Sequence, residues 1–313
     1  MRTIKNLVVF LMASTLLATC GKVSYRKTAG GMPYQLYKGT GTQKVSAGNI
    51  MKVNVSYKVK DSLYFSSFGK IPVYMPVSQQ AQPYDISEVM TLLRVGDSLV
   101  ATQMMDTFIK RNPTSIPPQF KKGDRIITII KVLDVFTSDS AATADREKVE
   151  KDWLAGETAF ISKYLADKNI TAQKTPSGAY VQTINPGTGD LIDSGKYVSV
   201  TYTGVSFSGK KFDSNTDTAF HHPPPYSFVV HGGQMIKGFD EAVQMMRVGG
   251  SAKVYIPSML GYAGQPNPQS GIKPYENLMF DITVVDVKDK APEETRPGPP
   301  KEKKKLDAPQ PQK

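Results

Sequence analysis

The chain has 313 residues, of which 40% are hydrophobic, 39 are basic and 28 are acidic, for a formal net charge of +11. This length allows two domains that each bury a core, and the single cysteine excludes an internal disulfide or a cluster of thiolates. The positive charge fits an ordinary solvated basic surface, which is the preferred interpretation, and also an anionic membrane surface. No stripe of alternating aromatic and basic residues indicates a nucleic-acid partner.

The N-terminus has the features of an export signal. Two basic residues precede residues 7–17, an uncharged run that is too short to span a bilayer but has the length of a signal-peptide core. A Leu-Ala-Thr-Cys motif ending at Cys20 follows and resembles the lipobox of bacterial lipoproteins. The resemblance implies a signal peptide over residues 1–19 and lipid on Cys20, whose acyl chains anchor the protein to a lipid membrane. A simple secretory signal with a chance cysteine is the alternative.

The resemblance to lipoproteins also implies a location. Removing the signal removes two basic residues and no acidic one, so the remaining balance is 37 − 28 = +9. Gly21 stands where some Gram-negative lipoproteins carry the aspartate that retains them in the inner membrane, so we expect the outer membrane of the cell envelope. No acidic run follows Cys20, which favours a protein that faces the periplasm.

The next segments predict a tether and one β-rich domain. Residues 20–32 are short, polar and basic, and they indicate a tether. Within residues 33–137, the alternation over residues 51–59 and the β-rich run 125–135 predict strands.

Residues 138–168 change to helical spacing and predict a helix that links two domains. Ser140 is the candidate N-cap, and Gly156 is a weak point within the helix. The apolar residues that recur at helical spacing are Val149, Trp153, Phe160, Ile161, Tyr164 and Leu165. A second β-rich domain follows over residues 169–289. The Pro- and Lys-rich residues 290–313 are too poor in apolar side chains to pack, which predicts disorder.

The chain also repeats itself. The sequence at residues 88–98 aligns with the sequence at residues 241–251, and the offset is 247 − 94 = 153. Two further matches occur in the same order: residues 53–57 with 198–202, and residues 133–135 with 285–287. Ordered self-similarity of this kind predicts two copies of one domain.

The second copy carries a set of motifs that is specific as a set. They are Tyr202-Thr-Gly204, Gly209-Lys-Lys-Phe-Asp-Ser214, Tyr226-Ser-Phe228, Gln234-Met-Ile-Lys-Gly-Phe239, Arg247-Val-Gly249, Ile256-Pro-Ser-Met-Leu-Gly-Tyr262 and Leu278-Met-Phe-Asp-Ile282. In this order they closely resemble the FKBP-type peptidyl-prolyl isomerases across about residues 170–288. The resemblance implies an α+β fold, in which a curved antiparallel sheet wraps one short helix and holds the substrate proline in an apolar hollow. It implies no cofactor.

Such a hollow suits the chemistry of prolyl isomerisation. Rotation about a peptide bond faces a barrier of about 18–20 kcal/mol, because resonance makes the C–N bond partly double. Resonance separates charge, so a dry and weakly polar pocket favours the twisted amide over the planar one. Catalysis then follows from tighter binding of the twisted state, without a nucleophile.

The resemblance also implies the site residues. Phe239 takes the place of the aromatic floor, which is usually Trp, and Tyr262 that of the tyrosine whose hydroxyl reaches a substrate carbonyl. The walls are Tyr202, Phe212, Tyr226, Met235, Ile236 and Phe280. Asp213 follows Phe212 as in the family, Ile272 overhangs the pocket, and the N–H of Ile236 is the second contact with substrate.

Some positions depart from the family pattern. Thr218 stands where the family has an arginine that pairs with the aspartate, so Tyr202 or water alone is left to hold Asp213. Lys273 replaces an apolar residue at the rim, and His221-His-Pro-Pro-Pro225 lengthens a loop. The histidines have no acidic or thiol companions in the sequence, so we expect no metal site.

The first copy predicts a degenerate domain without isomerase activity. By the repeat, Ile86 corresponds to the floor residue and Thr128 to Phe280, while Phe65-Ser66 takes the place of the Phe-Asp pair and Tyr57 survives as the counterpart of Tyr202. Three roles stay open for this domain: forming a homodimer, holding client proteins, or spacing the second domain from the membrane.

Three functions remain for the whole chain. The leading hypothesis is a prolyl isomerase that assists folding of exported proteins by acting on their proline-containing segments. The competing hypothesis is a binding module that holds proline-containing or unfolded segments without turnover, which the departures at Thr218 and Lys273 favour. The third is a spacer in an envelope complex.

Overall fold

The structure is a computed structural model that describes residues 25–60, 62–266 and 268–292. It divides into a first unit, Met1–Ala144, and a second unit, Asp145–Lys313. The expected signal peptide, Cys20 and residues 293–313 of the tail lie outside the described residues. Among the residues that are described, no helix is both long and apolar enough to cross a membrane.

The first unit is built on one antiparallel sheet. Its strands are β1 (Arg26–Lys27), β2 (Pro33–Tyr37), β3 (Ile50–Val59), β4 (Ser62–Ser66), β5 (Val73–Pro76), β6 (Ser98–Met104) and β7 (Arg125–Phe136). They lie in the order β1-β2-β6-β7-β3-β4, and β5 also pairs with β3. Two short helices, α1 (Ser87–Met90) and α2 (Met105–Arg111), and a 3-10 turn at Pro113–Ser115 complete the unit.

The predicted linking helix is present as α3 (Asp139–Asp167), within one residue of the expected bounds at each end. The prediction of Ser140 as its cap was wrong. The Ala141 N–H donates to Ser138 Oγ at 3.3 Å, so the capping hydroxyl comes from the residue just before the helix. The later part of α3 packs Ile161 and Leu165 against Tyr255 and Met279 of the second unit.

The second unit repeats the architecture of the first. Its strands are β8 (Gln173–Lys174), β9 (Tyr180–Asn185), β10 (Tyr197–Ser206), β11 (Lys211–Ser214), β12 (Tyr226–Val229), β13 (Ser251–Ile256) and β14 (Leu278–Lys288). They lie in the order β11-β10-β14-β13-β9-β8, and β12 also pairs with β10. The helix α4 (Lys237–Gln244) and 3-10 turns at Thr218–Phe220, Ser258–Leu260 and Pro268–Ser270 complete it. The predicted fold class, α+β with one antiparallel sheet in each domain, is confirmed.

The N-terminal boundary of the first domain was predicted wrongly. Residues 25–32 were expected to belong to the tether, but Arg26 pairs with Tyr34 in the sheet. Met32 is fully buried in the core of the first unit. A short polar strand at a sheet edge has the composition of a linker, which is why the sequence did not distinguish the two.

The two units have equivalent hydrogen bonds, each within its own unit, in addition to the same topology. In the first unit, Glu88 accepts hydrogen bonds from Thr28 Oγ1 at 2.5 Å and from the Gly30 N–H at 2.7 Å. In the second, Glu241 accepts from the Ser177 hydroxyl at 2.5 Å and from its N–H at 3.1 Å. Each glutamate lies in the helix that faces the core and ties it to the loop before the second strand. The prediction of two copies of one domain is thus supported at the level of side chains.

The helix α4 buries its apolar face against the sheet. Phe239, Ala242 and Val243 have no exposed surface and lie in the main core of the second unit. The helix can approach β13 closely because Gly238 has no side chain; a Cβ there would lie 2.5 Å from Ile256 Cγ2. This approach places Phe239 below the middle of the sheet, where the candidate site forms.

Candidate active site

The centre of the site is a cluster of aromatic rings contributed by four elements. Phe239 of α4 meets Phe280 of β14 edge-on, with ring centroids 5.3 Å apart, and Tyr202 of β10 in the same manner at 6.1 Å. Phe212 of β11 meets Phe280 edge-on at 5.5 Å. Such edge-to-face contacts stabilise aromatic pairs beyond their buried area. They produce an apolar cluster at the position where the resemblance expects the floor and walls.

The floor residue is covered in this conformation. Phe239 is 0% exposed, and Tyr202, Phe228 and Phe280 contact its ring. The sequence predicted it as an accessible floor, whereas the structure places it one layer deeper, beneath other rings. A substrate that contacts Phe239 must therefore displace one of the rings that cover it.

Gly204 makes room for the rings. In the sheet it lies opposite Phe280 on β14 and Asp213 on β11. A Cβ at this position would lie 2.6 Å from the Phe212 ring and 2.9 Å from the Phe280 ring, closer than any real contact. The missing side chain therefore lets both aromatic rings lie across the strand.

Asp213 is held by two side chains. The Tyr202 hydroxyl donates to Asp213 Oδ2 at 2.9 Å, and His222 Nδ1 lies 2.9 Å from Asp213 Oδ1. Burial, and then the hydrogen bond to Asp213, raise the pKa of Tyr202, so this hydroxyl remains a donor. The sequence expectation that Tyr202 or water alone holds Asp213 was incomplete, because the inserted loop brings His222 to the carboxylate.

A cavity of about 510 Å³ opens beside this carboxylate. It is lined by Phe212, Asp213, Ala219, Phe220, His222, Tyr262, Gln269, Ser270 and Ile272. Tyr262 is 39% exposed, while Ile272 is buried. Burial, and then the charge of Asp213, raise the pKa of the Tyr262 hydroxyl, which therefore keeps its proton as a hydrogen-bond donor.

A second cavity shares His222 with the first in its lining. It measures about 410 Å³ and is lined by Tyr202, Asn215, His222, Pro223, Pro225, Tyr226 and Ser227. Tyr226 is expected from the sequence as a wall, and it meets Tyr202 edge-on at 6.4 Å. The prolines of the inserted loop thus form part of the surface around the site.

The segment that leads into α4 supplies the remaining predicted contacts. Met235 and Ile236 are partly buried and pack against the main core of the second unit. Ile236 precedes the first residue of α4 and has an extended backbone with φ −64° and ψ 146°. Within the described residues its N–H donates to no other group, so it is available to a substrate carbonyl.

The loop that carries Tyr262 is fastened to α3 by Glu157, which the sequence analysis missed. Its carboxylate accepts hydrogen bonds from the Ser258 hydroxyl at 2.5 Å, from the Met259 N–H at 3.2 Å and from Trp153 Nε1 at 2.9 Å. Burial raises the pKa of Glu157 despite these donors. The two partners in the loop lie 101 and 102 residues away in sequence, so no local pattern could reveal the contact.

The first unit lacks this site, and its register explains why. The Val55 N–H donates to Ser67 Oγ, and the Ser67 N–H donates to the Val55 carbonyl. Tyr202 and Asn215 form the same pair: the Tyr202 N–H donates to Asn215 Oδ1, and the Asn215 N–H donates to the Tyr202 carbonyl. Val55, and not Tyr57, is therefore the counterpart of Tyr202, which corrects the prediction from the repeat by two residues. Tyr57 lies opposite Thr128 on β7, as Gly204 lies opposite Phe280 on β14.

Tyr57 carries a ring at the strand position where the second unit has Gly204, which has no side chain. Its ring packs against the core of the first unit and meets the Phe65 ring at 6.0 Å. Phe65 lies opposite Tyr57 and takes the place of Asp213, so the predicted counterpart Phe65-Ser66 of the Phe-Asp pair is corrected to Tyr64-Phe65. Where the second unit has Gly204 and Asp213, the first unit therefore has two aromatic residues, Tyr57 and Phe65.

The arrangement can bind an apolar group and donate hydrogen bonds to a carbonyl, without covalent chemistry. Across the described part of the chain, no three His, Cys, Asp or Glu side chains come together in a way that could hold a metal ion. An antiparallel sheet with one core helix, an aromatic cluster and a tyrosine beside a cavity defines a small α+β binding domain.

Comparison with known proteins gives the family. Residues 189–285 match the model of the FKBP-type peptidyl-prolyl cis-trans isomerases. A FK506-binding protein of Streptomyces anulatus is 35% identical over 113 residues, which are 36% of this chain and 88% of that protein. The FK506-binding protein 4 of Mycosarcoma maydis is 34% identical over 131 residues, which are 41% of this chain and 33% of that protein.

A solved structure is also similar. The crystal structure of a peptidyl-prolyl cis-trans isomerase from Pseudomonas syringae pv. tomato matches with 27% sequence identity and a TM-score of 0.36. The match covers 44% of this chain and 95% of the isomerase chain. The chain belongs to the FKBP-type peptidyl-prolyl cis-trans isomerase family. It spans between 26% and 33% of the length of four FK506-binding proteins, the one from Mycosarcoma maydis included.

Proposed function

We propose that the second unit is a peptidyl-prolyl cis-trans isomerase that assists folding of exported proteins in the cell envelope. The observation that carries this proposal is the cavity beneath Tyr262. It has Phe212 and Ile272 as apolar lining and lies beside the cluster of rings around Phe280. Uncatalysed prolyl isomerisation takes tens of seconds or more, so a folding chain gains from such a site.

The proposed mechanism uses binding energy alone. The substrate proline enters the cavity with its ring against Phe212 and Ile272, which displaces water from beside the amide. Loss of resonance in the twisted amide removes charge separation, so the apolar surroundings favour it relative to the planar state. The Tyr262 hydroxyl and the Ile236 N–H donate to substrate carbonyls and hold the chain on either side of the rotating bond.

Replacing Tyr262 tests the proposal with little risk to the fold, because the ring is partly exposed. We expect Tyr262→Phe to lower kcat/KM about two- to tenfold, since one hydrogen bond contributes a net ~0.5–1.5 kcal/mol. Tyr262→Ala removes the apolar ring as well and is expected to lower kcat/KM further. The measurement is the rate of a proline-limited refolding reaction with the full chain as catalyst.

Tyr37→Ala is the matched control, because Tyr37 is exposed to a similar extent, 43%, and lies in the first unit. This variant is expected to accelerate the proline-limited refolding reaction as much as the unaltered chain does. No acceleration by the unaltered chain, with retained binding of a proline peptide, would instead support the binding module without turnover.

We further propose that lipid on Cys20 anchors the protein to the outer membrane, facing the periplasm. The uncharged run over residues 7–17, the motif that ends at Cys20 and the net charge of +9 after residue 19 support this. We expect a radiolabelled fatty acid to be incorporated into the unaltered chain and not into Cys20→Ser, which is expected to leave the membrane fraction. An unaltered chain that takes up no label would contradict the anchor.

A further inference from the structure

Strand β4, at one end of the sheet in the first unit, has a free edge. Strand β4 ends the sheet order and pairs only with β3 among the strands of the described residues. Edge strands present N–H and C=O groups that can accept another strand, and most proteins protect such edges with charges, prolines or short strands. The state of this edge therefore indicates whether the first unit can take up an additional strand.

Of these protections, strand β4 has only its short length of five residues. Its sequence is Ser-Leu-Tyr-Phe-Ser, without a charge or a proline. Leu63, Tyr64 and Phe65 are consecutive and exposed by 56%, 52% and 39%. Large apolar side chains therefore face solvent on both faces of the strand, which is unusual unless another molecule covers them.

The equivalent strand of the second unit shows the protected form of the same edge. In the register of the two sheets, Leu63 corresponds to Lys211 and Phe65 to Asp213. Phe212, between those two charges, is buried. One chain thus contains the same edge twice, once with charges and once with apolar residues in their place. The general architecture of the sheet cannot explain the exposed residues on β4.

The surroundings of β4 favour an acidic occupant over a second copy of this chain. Lys58 lies opposite Leu63 in the sheet and is exposed. Phe120 contacts Tyr64 with ring centroids 5.1 Å apart, and the exposed pair Lys121-Lys122 follows it directly. Two copies that paired through β4 would bring these lysines together, whereas an acidic strand would complement them.

We infer that the first unit binds extended polypeptide segments that alternate apolar and acidic residues, by adding them as a strand to the edge of β4. Main-chain hydrogen bonds give affinity in this mode of recognition, and alternate side chains give selectivity. The inference does not depend on the proposed isomerase activity, because the first unit has no open aromatic basin.

The experiment measures peptide binding to the full chain by fluorescence anisotropy. The probe is a fluorescein-labelled decapeptide that alternates valine and glutamate. Two comparison peptides carry lysine in place of glutamate, or N-methyl groups on every second peptide nitrogen along one edge. We expect the glutamate peptide to bind, the lysine peptide to bind more weakly, and the N-methylated peptide not to bind because it cannot complete the ladder.

The decisive variant converts β4 into the pattern of the second unit. The double change Leu63→Lys and Phe65→Asp is expected to weaken binding of the glutamate peptide at least about tenfold, which is ~1.4 kcal/mol. Leu63→Lys alone, which keeps the contact between Tyr57 and Phe65, is expected to weaken it by a smaller factor. The matched control is Leu191→Lys, because Leu191 is a leucine of the second unit with a similar exposure of 51%.

Three outcomes would overturn the inference. One is equal affinity of the double variant and the unaltered chain for the glutamate peptide, with far-ultraviolet circular dichroism showing that both are folded. Another is equal affinity of the unaltered chain for the glutamate and lysine peptides. A third is a concentration-dependent dimer that Leu63→Lys dissociates, since β4 would then be occupied by a second copy.

Discussion

Gly204→Ala is expected to lower kcat/KM about a hundredfold. The added Cβ would lie 2.6 and 2.7 Å from two atoms of the Phe212 ring and 2.9 Å from the Phe280 ring, so both rings must move. Displacements of about 1 Å in a catalytic site can cost about 10²-fold in rate. The measurement is proline-limited refolding catalysed by the full chain, together with denaturant unfolding of the variant itself.

The stability cost of this change is expected to be modest by comparison. Overpacking a core by one methyl group costs about 1–3 kcal/mol, which leaves most of the protein folded at ordinary temperature. Gly156→Ala provides the control, since a Cβ at Gly156 meets nothing within 4 Å and the residue lies in α3. It should stabilise the helix by ~0.5–1 kcal/mol and leave the activity unchanged. A Gly204→Ala variant with the activity of the unaltered chain would show that the rings do not shape the site.

The elements of the second unit could be predicted because the signals that define them are local. Alternating strands, glycines at turns and the short run that forms α4 are each contained in a few neighbouring residues. The order of these motifs indicated the family before any distance was known. The order assigns Phe280 and Asp213 to the site, but it does not give the depth of Phe239, which lies beneath other rings.

The pairing register of the repeat could not be obtained in the same way. Side chains alternate along a strand with a period of two, so a slip of two residues leaves every apolar residue on the same face. Matching Tyr57 to Tyr202 therefore gave as good an apolar pattern as matching Tyr57 to Gly204, which is the register of the structure. The hydrogen bonds of Ser67 and Asn215, which connect different strands, reveal the difference.

His222 and Glu157 were missed for a different reason. His222 belongs to an insertion without a counterpart in the family pattern, and nothing in the sequence shows that the loop folds back onto Asp213. Glu157 lies in a helix outside the matched region and reaches a loop about a hundred residues away. The one local signal is Trp153, which lies one turn earlier on α3 and donates to Glu157. Contacts of this kind depend on tertiary packing.

The largest stability effect is expected from Phe239→Ala. The ring has no exposed surface and contacts Tyr202, Phe228 and Phe280, with centroids between 5.3 and 6.1 Å away. Removing a buried phenylalanine side chain costs about 3–5 kcal/mol. For a unit of this size each kcal/mol lowers Tm by about 2–4 °C, so we expect a Tm lower by roughly 6–20 °C.

Trp153 reports this change, because it is the only tryptophan in the chain and contacts Tyr275 of the second unit with ring centroids 5.3 Å apart. Its fluorescence during denaturant unfolding gives the free energy of unfolding of that unit. Phe160→Ala is the matched control, since this phenylalanine of α3 is largely exposed and should cost about 1 kcal/mol or less. If the two variants lose equal stability, Phe239 is not the centre of the core. If Phe239→Ala is destabilised but retains full activity at a temperature where it is folded, the floor takes no part in catalysis.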